Sequence, residues 1–150
     1  MNYQQEIIIN KPRKEVAEKF SDPECIRHWQ RGFIAMDPIK GAPGAEGSQN
    51  LLKYKMGSRE IEMKETILKN NLPTEFDATY EAKGVYNHQT NIFTEIDDHT
   101  TQWLSYTEFK FSGFMKLIGW IMPGTFKKQS YKYMEDFKAY VETGKSVLDH

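Results

Sequence analysis

The sequence predicts an α+β fold: a curved antiparallel sheet of about seven strands, two short helices and a long C-terminal helix over a cavity. Three observations carry this. From Phe33 to Phe111 apolar residues recur with period two, interrupted only by short turns. Before that block, a β-branched strand leads into two short helical patterns. After it, Phe126, Ser130, Tyr133, Met134, Phe137, Tyr140 and Val141 recur at spacings of three and four.

The elements follow in order. Gln4–Asn10 holds Ile7-Ile8-Ile9 and reads as a strand. Asn10 is a candidate helix cap, and Pro12 sits where its missing N–H costs nothing. A short helix over Pro12–Ser21 puts Val16, Ala17 and Phe20 on one face. Ser21-Asp22-Pro23-Glu24 ends it and opens a second, which runs to about Gln30 and buries Ile26 and Trp29. Strands follow at Phe33–Lys40, Ser48–Met56, Arg59–Lys69, Phe76–Lys83, Val85–Ile96 and Thr101–Phe111. Gly57, Asn70-Asn71, Gly84 and Asp97-Asp98 punctuate them, so neighbours pair as an antiparallel meander. The closing helix spans about five turns, with Gly144 as its C-cap and a frayed tail over residues 145–150. A strongly curved sheet and one helix do not touch everywhere, which predicts the cavity. The whole is read as one domain over residues 1–150, ordered from about 3 to 144.

With 150 residues the chain can bury a substantial core. Twenty Lys and Arg against 21 Asp and Glu give a net charge of −1, unlike the basic balance of a phosphate-tracking nucleic-acid binder. The single cysteine, Cys25, excludes an internal disulfide and a cysteine-rich zinc site. His28, His88, His99 and His150 are scattered, so no metal site and no cofactor is expected. A cytoplasmic location is expected, with peripheral membrane contact left open and no stable insertion. Nucleophile-elbow, zincin and phosphate-loop motifs are absent.

This order of elements resembles the START-like, or SRPBCC, superfamily and its helix-grip fold. The group includes polyketide cyclases and dehydrases, pollen-allergen-type binders and lipid-transport domains. Three segments carry the resemblance: Ile7 to Val16 as the strand-to-helix opening, Asp22 to Trp29 as the second short helix, and Phe126 to Lys138 as the gripping helix. It covers residues 3 to 143. It implies a shared container rather than a shared catalytic motif.

Alternation selects the residues facing the helix: Leu52, Tyr54, Met63, Glu65, Phe76, Tyr80, Trp103 and Phe109 from the strands. Phe126, Tyr133, Met134 and Phe137 face them from the helix. Either these side chains are core or they line a ligand cavity. Glu65 is the clearest polar candidate, because an ionised carboxylate beside Ile61, Met63 and Ile67 needs partners. Tyr54 and Tyr80 are placed to donate to it. The phase of Val85–Ile96 is open: Asn87 and Gln89 are taken as inward, with His88 as the inward polar residue in the other phase. The apolar stretch from Gly113 to Gly124 is either packing against the sheet's open end, a mobile gate using Phe114, Leu117, Trp120 and Ile121, or a surface for a membrane or partner.

The function expected is binding or transport of a small hydrophobic or amphipathic molecule, lipid- or polyketide-like. One alternative is a cyclase/dehydratase- or hydrolase-like enzyme with Glu65 as catalytic acid or base beside Tyr54 and Tyr80. The other, implied by chaperone-activator relatives of the fold, is a protein-interaction module with a filled core and an exposed patch around Phe114–Met122. Ligand identity and oligomeric state are not readable from the residues.

Overall fold

The computed structural model describes residues 1–149. Its elements are β1 (Asn2–Ile9), α1 (Arg13–Ser21), α2 (Ile26–Trp29), β2 (Phe33–Lys40), β3 (Gln49–Met56), β4 (Arg59–Asn71), β5 (Glu75–Ala82), β6 (Val85–Asp97), β7 (Thr100–Phe111), α3 (Phe114–Ile121) and α4 (Pro123–Thr143). The seven strands form one antiparallel sheet in the order β1-β7-β6-β5-β4-β3-β2. The short turns pair β2 to β7 as consecutive hairpins. β1 closes the far edge by pairing with β7, from Asn2 opposite Glu108 to Ile9 opposite Thr101.

The register stacks the helix-facing side chains in transverse rows. One row runs Phe93, Trp103, Ile7. The next runs Phe76, Asn91, Ser105, Gln5, and the next Ile67, Ala78, Gln89, Thr107, Tyr3. A fourth runs Asn50, Glu65, Tyr80, Asn87, Phe109. The inner face is thus apolar at one end and polar across its middle. At the apolar end α4 lays Met134, Phe137 and Val141 on Ile7, Ile9, Phe93 and Trp103, with Val16 and Trp29 from α1 and α2. Phe20 sits at the centre of this block, its ring centroid 5.1 Å from Phe93 and 5.6 Å from Trp103.

The N-terminal half of α4 is held differently. The Tyr3 hydroxyl lies 2.6 Å from Ser130 Oγ, and Gln5 Nε2 donates to the Lys127 carbonyl at 2.8 Å. Phe126 packs on Phe109 and Phe111 at centroid distances of 5.2 and 5.1 Å. α4 begins at Pro123, earlier than the side-chain periodicity indicates, and stops where Gly144 turns left-handed at φ 76°.

The tail does not fray after Gly144. Val147 N–H donates to the His28 carbonyl at 2.9 Å, Ser146 is buried, and its Oγ lies 2.9 Å from His28 Nδ1. Polar partners from α2 secure a segment with too few apolar residues to announce its docking. His150 lies outside the described residues.

Candidate functional site

The polar row is built around Glu65 on β4. Its neighbours are fixed by register: Asn50 on β3 and Tyr80 on β5 flank it directly. Asn50 Nδ2 donates to Glu65 Oε1 at 3.1 Å, and the Tyr80 hydroxyl is its other hydrogen-bonding neighbour. Only 8% of Glu65 is exposed. Burial pushes its carboxyl above the usual carboxylate range, and the bonds from Asn50 and Tyr80 offset only part of that. Burial likewise raises the Tyr54 and Tyr80 hydroxyls, with the Glu65 charge adding to it in each case. The row therefore favours neutral groups that exchange hydrogen bonds.

Tyr54 does not donate to Glu65 as expected. Its hydroxyl donates to Gln30 Oε1 just after α2, which ties β3 to the helical layer. Tyr133 on α4 lies next to Tyr54, and burial raises its hydroxyl too. Beyond Tyr133 the molecule opens. A pocket of about 250 Å³ lies between the β2–β3 end of the sheet and α4, lined by Arg31, Gly32, Lys55, Met56, Gln129, Lys132, Tyr133 and Asp136. Gly32 shapes this mouth: its φ is +80°, and a Cβ there would run into the Lys55 carbonyl oxygen. Arg31 Nε reaches Asp136 Oδ2 at 3.0 Å, and Lys132 Nζ reaches Oδ1 at 3.3 Å. Three cations against one carboxylate leave the mouth positive.

Not every expected cavity residue lines open space. Phe76, Trp103, Met134 and Phe137 belong to the closed apolar core. Trp103 Nε1 donates to Asn91 Oδ1 at 3.0 Å and has no free polar edge. These side chains satisfy the same alternation as lining residues, and only the placement of Phe20 and Trp29 over them decides that they are core. Leu52 is buried beside the polar row, while Met63 is part-buried. Tyr80 and Gln89 face the helix from the central strands and are only part-buried. Asn87 and Gln89 are on that face: Gln89 Nε2 donates to Asn87 Oδ1 at 2.9 Å, and Asn87 Nδ2 to the Glu108 carbonyl at 3.0 Å. His88 is on the outer face, near Asp77. Phe109 and Phe126 form the aromatic block at the start of α4.

The expected gate does not cover the pocket. Phe114, Leu117, Trp120 and Ile121 of α3 all point to solvent. The side of α3 that packs is Gly119, seated against the Phe111 ring, with Met115 beside Gly84. Tyr140 donates to Cys25 Sγ at 3.5 Å, and His28 turns to Ser146.

Asn50 was readable from its place two residues before Leu52 on the same inward alternation. Gln30, Arg31 and Gly32 were not, since a turn carries no periodic signal. The Trp29 indole Nε1–H is buried and unpaired among the described residues, an unsatisfied donor within the closed apolar core rather than at the polar row.

No protein-family model matches the sequence, and no curated protein sequence matches it. Solved structures do match. A conserved protein from Geobacillus kaustophilus aligns over 94% of this chain and 95% of its own, with TM-score 0.77 and 15% identity. Ara h 8.0201 aligns over 94% and 97%, with TM-score 0.74 and 13% identity. Norcoclaurine synthase from Thalictrum flavum, solved with dopamine and hydroxybenzaldehyde, aligns over 94% and 85%, with TM-score 0.67 and 16% identity. At these identities the likeness is one of fold: the chain has the START-like helix-grip fold.

Proposed function

We propose that this protein binds a small amphipathic molecule beneath α4, entering at the Tyr133 mouth and presenting its polar group to Glu65, Tyr80 and Asn50. The carrying observation is Glu65 itself. A buried carboxyl with no cation beside it among the described residues is costly unless its hydrogen bonds have a use. In its protonated form, which burial favours, it offers a donor and an acceptor to a ligand hydroxyl or carbonyl. The part exposure of Tyr80 and Gln89 on the same inner face supports this reading. The positive mouth favours neutral or anionic molecules over cations. One neighbour of this fold, norcoclaurine synthase, is described in complex with dopamine and hydroxybenzaldehyde.

Native mass spectrometry of gently purified protein tests this. The expected result is a reproducible small-molecule adduct, lost on denaturation and weakened by Tyr80→Ala. A bare protein mass, together with no thermal stabilisation by a panel of acyl and aromatic amphiphiles, would refute it. A second reading has an observation in its favour. A carboxyl whose burial favours the protonated form, beside a tyrosine, suits a general acid, which supports cyclase- or dehydratase-like chemistry at Glu65. Glu65→Gln separates the two: a binder keeps its ligand, whereas an enzyme keeps its ligand and loses turnover.

A further inference from the structure

We infer that α3 is a docking helix for anionic phospholipid membrane, a surface distinct from the interior site and independent of what that site holds. α3 is eight residues long, and its outer side is almost wholly apolar and unpartnered. Trp120 is 81% exposed and Phe114 74%, with Leu117, Ile121 and Met122 exposed beside them. Its other side is locked to the body of the protein. A Cβ at Gly119 would lie 2.6 Å from Phe111 Cε2, so the helix is seated and the apolar side is held outward.

Charge identifies the occupant. Residues 109–134 contain Lys110, Lys116, Lys127, Lys128 and Lys132 and no Asp or Glu, in a chain whose net charge is −1. Lys110 pairs with Glu108 and Lys132 with Asp136, which leaves Lys116 on α3 and Lys127 and Lys128 at the start of α4 exposed and without a carboxylate among the described residues. Apolar and aromatic side chains flanked in sequence by unpaired, exposed lysines match a bilayer interface that carries anionic headgroups. A second copy of the same face would bring like charges together. At 1.5 Å per residue α3 is about 12 Å long, far short of a bilayer's hydrocarbon core, so it lies in the interface plane.

The molecule supplies its own reporter. Trp29 and Trp103 are buried, so a change in tryptophan emission on binding reads Trp120. The test is co-sedimentation and fluorescence with vesicles of phosphatidylcholine mixed with phosphatidylserine, against phosphatidylcholine alone. The expected result is binding to the mixed vesicles with a blue shift, weakened by salt. Trp120→Phe should abolish the shift while leaving sedimentation measurable. Lys116→Gln, Lys127→Gln and Lys128→Gln together should weaken binding about a hundred-fold, near five-fold per lysine. L117S/I121S should lose both signals with an unchanged melting temperature, because neither side chain is packed. Three results overturn the proposal: no sedimentation with mixed vesicles at low salt, equal binding to phosphatidylcholine alone, or a solution dimer that L117S/I121S dissolves.

Discussion

Replacing Glu65 with Gln should stabilise the protein, and more so as pH rises. An ordinary glutamate carboxyl titrates at 4.5, and burial raises Glu65 above that in the folded state. Below pH 4.5 the folded and unfolded chains both hold the proton, and Glu65 contributes no pH dependence. Above it the unfolded chain releases the proton first, so stability falls with pH until the folded carboxyl also ionises, and the loss then persists. One proton limits the slope to about 1.4 kcal/mol per pH unit. For a chain of this length that is about 3–5 °C in Tm per pH unit. Gln has no such penalty and still offers Asn50 an acceptor. The difference in Tm between Glu65→Gln and the parent should therefore be small near pH 4.5 and grow in favour of Gln toward neutrality. Glu65→Ala is the control for the hydrogen bonds. It strands the Asn50 and Tyr80 donors, at about 1–3 kcal/mol each, and should destabilise even at acid pH. Thermal unfolding in buffers of matched ionic strength measures all three proteins. A difference between Gln and Glu that stays flat, or that shrinks with rising pH, would refute the account of Glu65 as a buried, proton-holding group.

Gly119→Ala should lower stability by about 1–3 kcal/mol, because the added methyl meets the Phe111 ring and overrides the better helix propensity. Gly124→Ala, with open space around its Cβ, should be neutral or stabilising, and chemical denaturation of the pair compares them. Trp103→Phe removes the donor to Asn91 and should cost about 1–3 kcal/mol while leaving any ligand adduct in the mass spectrum intact, since Trp103 is core. Ser146→Ala should cost about 1 kcal/mol and raise hydrogen exchange at Val147, whose amide depends on the tail staying against α2. In the native protein, amides of Thr125–Tyr131 should exchange faster than those of Met134–Val141.

The fold was legible because its periodicities are long and consistent. Period two runs from Phe33 to Phe111 with a turn residue at each break, and the strands observed begin and end within two residues of those expected. Glu65 stood out because a lone carboxyl among Ile61, Met63 and Ile67 breaks the pattern. Alternation cannot distinguish core from lining, however. Trp103 and Tyr80 share the inward face, and only the helices packed over the sheet close one and leave surface on the other. Nor can apolarity alone give direction: α3 was expected as packing, gate or surface, and the missing side chain of Gly119 turns Trp120 outward. The mouth at Arg31 and Gly32 lies in a turn, where contacts are long-range and no local spacing encodes them.

The two halves of α4 are held by unlike forces, and a ligand of the kind proposed would enter where the hold is weaker. The C-terminal half is anchored by Met134, Phe137 and Val141 in a dry aromatic core; truncating Phe137 alone would cost about 3–5 kcal/mol. The N-terminal half rests on Tyr3 to Ser130, Gln5 to the Lys127 carbonyl, and the Phe126 stack. Water can replace each of those hydrogen bonds at a net cost of about 1 kcal/mol. Opening therefore costs least at the start of α4, where Gln129, Lys132 and Tyr133 border the mouth. The polar row from Asn50 to Asn87 lies beneath the more weakly held half, and the row of Phe93, Trp103 and Ile7 lies beneath the aromatic anchor. The same end carries Lys127 and Lys128, so a membrane-docked α3 would bring the opening half of α4 next to the lipid surface.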